Sequence, residues 1–185
     1  MSVTTQDIGS ATTDQRLFAL LSQELKERMS DAGSSPGDEH RAIQQLPEGL
    51  RAMAAIYSLD VSIAMDDLVW HFFNHHHRGL ADETLSGLRV LEADEAAVIF
   101  TEVYEIVSAH WDAIGAHRTG SADTWSDCIK SAGLETAVDP LNRRMWDLCT
   151  GLGHYGLMQY WLNFARKYPE RVLGTSSHQD LPPIE

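Results

Sequence analysis

DEAAVIFTEVYEIVSAHWDAIG, residues 94–115, decides the fold. Stepped at about 100° per residue, it places Ala96, Ile99, Phe100, Val103, Ile106, Val107, Trp111 and Ile114 on one side. That is the period of an amphipathic helix, not of a strand. The other side gathers Asp94, Glu95, Glu102, Glu105 and Asp112 within an arc of roughly 100°. Solvated helices commonly set Lys or Arg four residues after an acid. Here those positions hold Val98, Ile99, Ile106, Ala109 and Ala116. The segment predicts a core helix with an uncompensated acidic stripe. Its bland reading, a solvated face that aids solubility, stands beside the sharper one of an interaction surface.

The acidity spreads around this helix. Between Asp82 and Asp139 twelve carboxylates face three bases, so −9 of the chain's net −13 lies there. Helical periods recur almost throughout, and no segment alternates long enough to read as a strand. Thr12 with Gln15 reads as a capping box for a helix carrying Leu17, Leu21, Leu25 and Met29, which Ala32 to Gly37 ends. Pro47 fits the first turn of a second helix carrying Leu50, Met53, Ala54 and Tyr57; Val61, Met65, Leu68 and Phe72 line the next. Asp82 reads as the cap of a short helix with Leu85, Leu88 and Leu91. From Ala116 to Asp139 a long connection holds a short helix around Trp125, Ile129 and Leu134. Pro140 reads as the start of a last helix pair, interrupted near Gly151 to Gly156 and stopped by Pro169. The expected class is all-α: a compact multi-helix domain over 38–174, an N-terminal arm helix and linker over 1–37, and a disordered tail over 175–185.

Length and composition set outer bounds. A chain of 185 residues, 43% hydrophobic and with five Trp, can bury one substantial core. Two cysteines, Cys128 and Cys149, and an N-terminus without basic and apolar leader regions imply a reducing cytoplasm. No apolar run approaches the roughly 20 residues needed to cross a bilayer. A net charge of −13 opposes direct binding to DNA, RNA or anionic lipid.

Three features touch on chemistry. Gly151-Leu152-Gly153-His154-Tyr155-Gly156 has the spacing of a dinucleotide fingerprint, but it follows a helical stretch where the motif requires a strand. A helix break is the better reading. Asp67, His71 and His75 recur at i, i+4 and i+8, and paired His at that spacing can chelate a metal. Neighbouring His76 and His77 point away by about 100° per residue, and the cluster also fits a polar helix end. The cysteines have no partner of the kind that activates a nucleophile and read as buried structural thiols. The chain carries no catalytic signature and no cofactor motif. A metal-binding protein or metal-dependent enzyme using Asp67, His71 and His75 is the alternative, and an inert helical scaffold the third reading.

Leu68 to Asn74, Leu85 to Ala97, Asp139 to Leu148 and Phe164 to Glu170 together resemble, in order and spacing, a domain-of-unknown-function family that includes the bacterial DNA mimic protein 19. The resemblance spans about Leu46 to Leu173. Where that family usually carries a Gly-Gly pair this chain has Asp66-Asp67, and where it tends to have Gly before Ala it has Glu92. The resemblance implies an all-α fold, often dimeric, and, in the named member, an acidic surface that occupies the DNA-binding face of a transcriptional regulator. No catalytic residue comes with it. Duplex DNA carries one charge per roughly 1.7 Å of axis, whereas the five acids of 94–112 would cover about 27 Å of helix, roughly one per 5 Å. Mimicry therefore needs further acids alongside, such as Asp66, Asp67, Asp82, Glu83, Glu135 and Asp139, or a second subunit. By contrast Pro140 to Gly174 holds five bases against two acids, a flank that could serve head-to-tail self-association. The expected partner is a basic protein, including a DNA-binding protein, with the chain itself a homodimer to which Leu17, Phe18, Leu21 and Leu25 of the arm contribute.

Overall fold

All regular structure among the described residues is helical. The computed structural model describes residues 3–117 and 122–174, with backbone alone at 122–125; the expected tail, 175–185, and the Trp125 side chain lie outside the described residues. In chain order the helices are α1 (Thr5–Ser10), α2 (Asp14–Arg28), α3 (Pro36–Gln44), α4 (Glu48–Met65), α5 (Leu68–Asn74), α6 (Arg78–Val90) and α7 (Asp94–Ser108). There follow α8 (Trp111–His117), α9 (Ala122–Ser131), α10 (Leu134–Leu152), a 3-10 turn (Gly156–Met158), α11 (Gln159–Lys167) and α12 (Pro169–Leu173). The expected all-α class holds.

The long apolar helix α4 is the hub, and α6 packs most closely along it. Gly87 of α6 permits this approach, because a Cβ there would stand 2.9 Å from the Ala52 carbonyl oxygen. Thr84 beside it donates to the Ala55 carbonyl at 3.2 Å and to Leu80 at 2.9 Å, so its buried hydroxyl is satisfied. On the other side α7 lies between α6 and α10. Its apolar side, Ala96, Ile99, Phe100, Val103 and Val107, is buried as its period requires. Asn142 of α10 accepts from the Leu68 N–H at 3.0 Å and fixes the start of α5. Asp60 likewise accepts from Leu157 at 2.8 Å and fixes the 3-10 turn.

Several boundaries differ from the sequence expectations, each for a local reason. Thr13, not Thr12, caps α2, accepting from Arg16; the capping box lies earlier, between Thr4 and Asp7. Leu17 and Leu21 of the segment expected as an arm are fully buried in the same core as α4. Pro47 precedes α4 rather than starting it, and α4 runs on to Met65 before Asp66 leaves the helical region. Met65, expected to line a face, is 82% exposed at that helix end. Asp82 caps nothing: α6 begins four residues earlier, and Asp82 is exposed on its flank. Pro140 sits inside α10, which starts after the left-handed Gly133. Gly153 takes positive φ and caps the end of α10, and Gly156, also at positive φ, begins the 3-10 turn, so the glycine-rich motif breaks a helix instead of following a strand.

The turn between α6 and α7 holds the one non-glycine residue with positive φ among the described residues, Glu92 at 60°. It is the position where the resembled family tends to carry Gly. Ala93 N–H donates back to Leu88 at 2.8 Å, closing a left-handed helix cap. The Glu92 carboxylate is held by Lys167 Nζ at 2.7 and 2.8 Å and by the Tyr168 hydroxyl at 3.0 Å. Those contacts offset a backbone cost of order 1 kcal/mol.

Candidate protein-interaction surface

The acids of 94–112 do not share one helix. The chain turns at Ala109 and His110, so Asp112 belongs to α8. An aromatic cluster accounts for the turn. It lets Trp111 stack on His76 at 4.2 Å and meet Phe72 and Tyr104 edge-on, with its carbonyl 2.9 Å from His76 Nε2 and the Arg78 guanidinium over its ring. Asp94, Glu95, Glu102 and Glu105 remain on α7, whose 15 residues span about 22 Å.

On α7, Asp94, Glu95 and Glu105 are exposed and have no ion-pair partner among the described residues; the same holds for Asp112 on α8. Val98 falls between them on the helix wheel and is 52% exposed, an apolar spot inside the acidic arc. Glu102 differs, because Arg144 of α10 reaches both of its oxygens at 3.2 Å. The stripe is therefore compensated at one point, from 42 residues away in the chain. Sequence reasoning missed Arg144 because a pairing between helices has no i+4 signature. Glu95, Arg144 and Asp147 border one open hollow between α7 and α10. Tyr160 registers the local field: burial, then the charge of Glu95 and, further down, Asp94, hold its hydroxyl above the ordinary phenol value.

The other candidate acids scatter. Asp66, Asp67 and Glu135 line a separate small cleft with Trp70 and Lys130. Asp67 there caps α5, accepting from Trp70 N–H at 2.8 Å, and partial burial followed by repulsion from Asp67 raises the Asp66 carboxyl. Asp82 is exposed on α6. Glu83 is only 7% exposed and is bound by Arg51 at 2.7 Å, a hydrogen bond that holds its carboxyl below the ordinary value. It is unavailable to a partner. The basic flank of 140–174 is not free either: Arg143 pairs with Asp139, Arg144 with Glu102, Arg166 with Asp14, Lys167 with Glu92 and Arg171 with Glu48. Positive charge there is matched within the chain in exposed pairs, which weakens the case for head-to-tail self-association through it.

The metal alternative is not assembled. His71 is 3% exposed with Nδ1 3.3 Å from the Ser62 hydroxyl, and burial, then the nearby His75, push its imidazole down to about 3. His75 Nδ1 instead meets Glu39 at 3.1 Å, and Asp67 is occupied as a cap. Among the described residues no group of three His, Cys, Asp or Glu stands where it could hold a metal ion. Burial raises the Cys128 thiol, and burial with the Asp60 charge pushes Cys149 up to about 11, so neither is an activated nucleophile.

Residues 44–167, which include α4 to α11, match the family described as DMP19-like protein. The chain belongs to that family. No curated protein and no solved structure matches it. Within this DMP19-like chain no helix among the described residues is long and apolar enough to cross a membrane. The match covers α7 and Arg144 and stops short of α12; α1 and α2, whose Ile8, Leu17, Leu21 and Leu25 join the core, lie outside it.

Proposed function

We propose that this DMP19-like chain is an acidic interaction module that binds a basic protein surface, and that this surface is the DNA-binding face of its partner. One observation carries the reading: Asp94, Glu95 and Glu105 on α7, continued by Asp112 on α8, are exposed without ion-pair partners among the described residues, while the five bases of 140–174 each have one. Family membership supports a DNA-mimic role in general terms. Glu102 belongs to the surface as a charge already half-compensated by Arg144. Asp66 and Asp67, in a separate cleft, and Glu83, held by Arg51, are left out.

Four or five charges along about 22 Å are sparser than a duplex, so charge steers the encounter and the remaining contacts, Val98 among them, supply fit. The test uses the quadruple variant Asp94→Asn, Glu95→Gln, Glu105→Gln, Asp112→Asn. Basic proteins retained by the wild-type chain at low salt should be released by a roughly tenfold rise in salt, should bind the variant more than tenfold more weakly, and should be displaced by duplex DNA. A partner that holds this chain and DNA together would exclude mimicry. Equal binding by the variant at low salt would remove the surface itself.

A further inference from the structure

A cavity of about 550 Å³ opens between α2, α3 and α4, and no α7 residue lines it. Its size falls within the roughly 300–1,000 Å³ usual for small-molecule sites. Phe18 of α2, Met29 just past its end and Tyr57 of α4 form its apolar walls, with Trp161 of α11 behind them. Trp161 stands 6.3 Å from Phe18 and 6.2 Å from Tyr57 between ring centroids. The polar groups are few and unequal. Glu39 lines the cavity with its side chain 24% exposed, whereas Lys26 is exposed at the rim. Two partners orient Glu39: the Ser58 hydroxyl donates at 2.8 Å, and His75 Nδ1 lies 3.1 Å away. A carboxylate offers about four lone-pair positions, so acceptor capacity is left for a third donor. Trp161 is 1% exposed, and its indole N–H has no hydrogen-bond partner. Buried donors in folded proteins are rarely left so.

We propose that this cavity binds a small organic amine, with its apolar body against Phe18, Met29 and Tyr57 and its ammonium on the Glu39 carboxylate. The sheltered charge decides the sign of the ligand: solvent and salt screen Lys26 more than Glu39. Aromatic faces beside the carboxylate add to the preference for a cation. Burial works to raise the Glu39 carboxyl, but the His75 and Ser58 contacts outweigh it and hold the group below the ordinary value, so it is charged at neutral pH.

Three probes with matched bodies and different heads test this: phenethylamine, phenethyl alcohol and phenylpropionate, titrated calorimetrically into the full chain. The amine should bind at least about tenfold more tightly than the alcohol, and the carboxylate should bind weakest. Glu39→Gln should bring the amine to the level of the alcohol. Ser22→Phe, which fills the cavity from α2, should abolish binding of all three while melting temperature and helicity stay level. Should Glu39→Gln disturb the fold, Lys26→Glu at the exposed rim serves instead and should strengthen amine binding. The proposal is overturned if none of the probes saturates at millimolar concentration, if the amine binds no better than the alcohol, if the carboxylate binds best, or if a folded Ser22→Phe chain binds the amine as well as wild type.

Discussion

His71 makes the stability of this chain depend on pH in a calculable way. Its imidazole is buried at 3% exposure, and burial, then His75, hold it down to about 3; an unfolded chain protonates histidine near 6.5. As pH falls through about 6.5 the unfolded state takes up a proton that the folded state refuses until about 3. The stabilisation is therefore complete above about 6.5 and is lost as pH falls toward 3. Between about pH 7 and pH 5 this single residue removes about 2 kcal/mol, with a slope approaching about 1.4 kcal/mol per pH unit. Asp60 acts with the opposite sign, because burial raises it: its contribution is present at low pH and is lost as pH rises through its folded value. Glu39 and Glu83, both lowered, lose theirs only as pH falls below the ordinary glutamate value of 4.5. The assay is urea unfolding of wild type and His71→Leu at several pH values from about 7 to 5. Ser62 stays satisfied in the variant, since its hydroxyl donates to the Ser58 carbonyl at 2.8 Å. Wild type should lose about 2 kcal/mol more than the variant over that range. If the two curves fall in parallel, exclusion of the proton from His71 does not set the slope.

Leu21 is fully buried, so Leu21→Ala should cost about 2–5 kcal/mol, and deletion of residues 1–31 should broaden or abolish the cooperative melt; a truncated chain that melts like wild type would contradict the shared core. The resembled family is often dimeric; a homodimer of this chain would give twice its 20.6 kDa in light scattering, through faces other than the buried leucines of α2, and a mass of one chain at micromolar concentration would dismiss it. Gly49→Ala would place a Cβ 2.7 Å from Val172 Cα and 2.9 Å from the Arg171 carbonyl, and thermal unfolding should register a loss of about 1–3 kcal/mol. Arg144→Gln removes an exposed pair worth less than about 1 kcal/mol; stability should stay level while affinity for a basic partner, and its salt dependence, increase, and a fall in affinity would show that Glu102 is not part of the surface.

The fold class and the buried side of α7 were legible because a 3.6-residue period is a local property, and Ile99, Phe100, Val103 and Val107 repeat it without interruption. The exposure of Asp94, Glu95 and Glu105 followed from the same period. The end of α7 did not, because Trp111 leaves the helix for ring contacts with His76 and Phe72, residues of another segment. Pro140 misled because a proline suits a first turn, and only Leu134 and Val138, buried ahead of it, show that the helix has already begun. Glu83 and Glu102 look alike in sequence as uncompensated acids; Arg51 and Arg144, each more than 30 residues distant, make one a buried anchor and the other a half-neutralised surface charge.

Glu92 gives the acidic helix a direction. A chain that leaves α6 in the left-handed region can set off along α7 at many angles, and a glycine there would leave the choice to packing alone. Here Lys167 and Tyr168, at the junction of α11 and α12, hold the turning residue by its own carboxylate. The turn that leads into Asp94, Glu95 and Glu105 is thus held from a bracket 75 residues downstream, so altering a lysine and a tyrosine outside α7 should loosen the start of the acidic helix while its buried face keeps it in place.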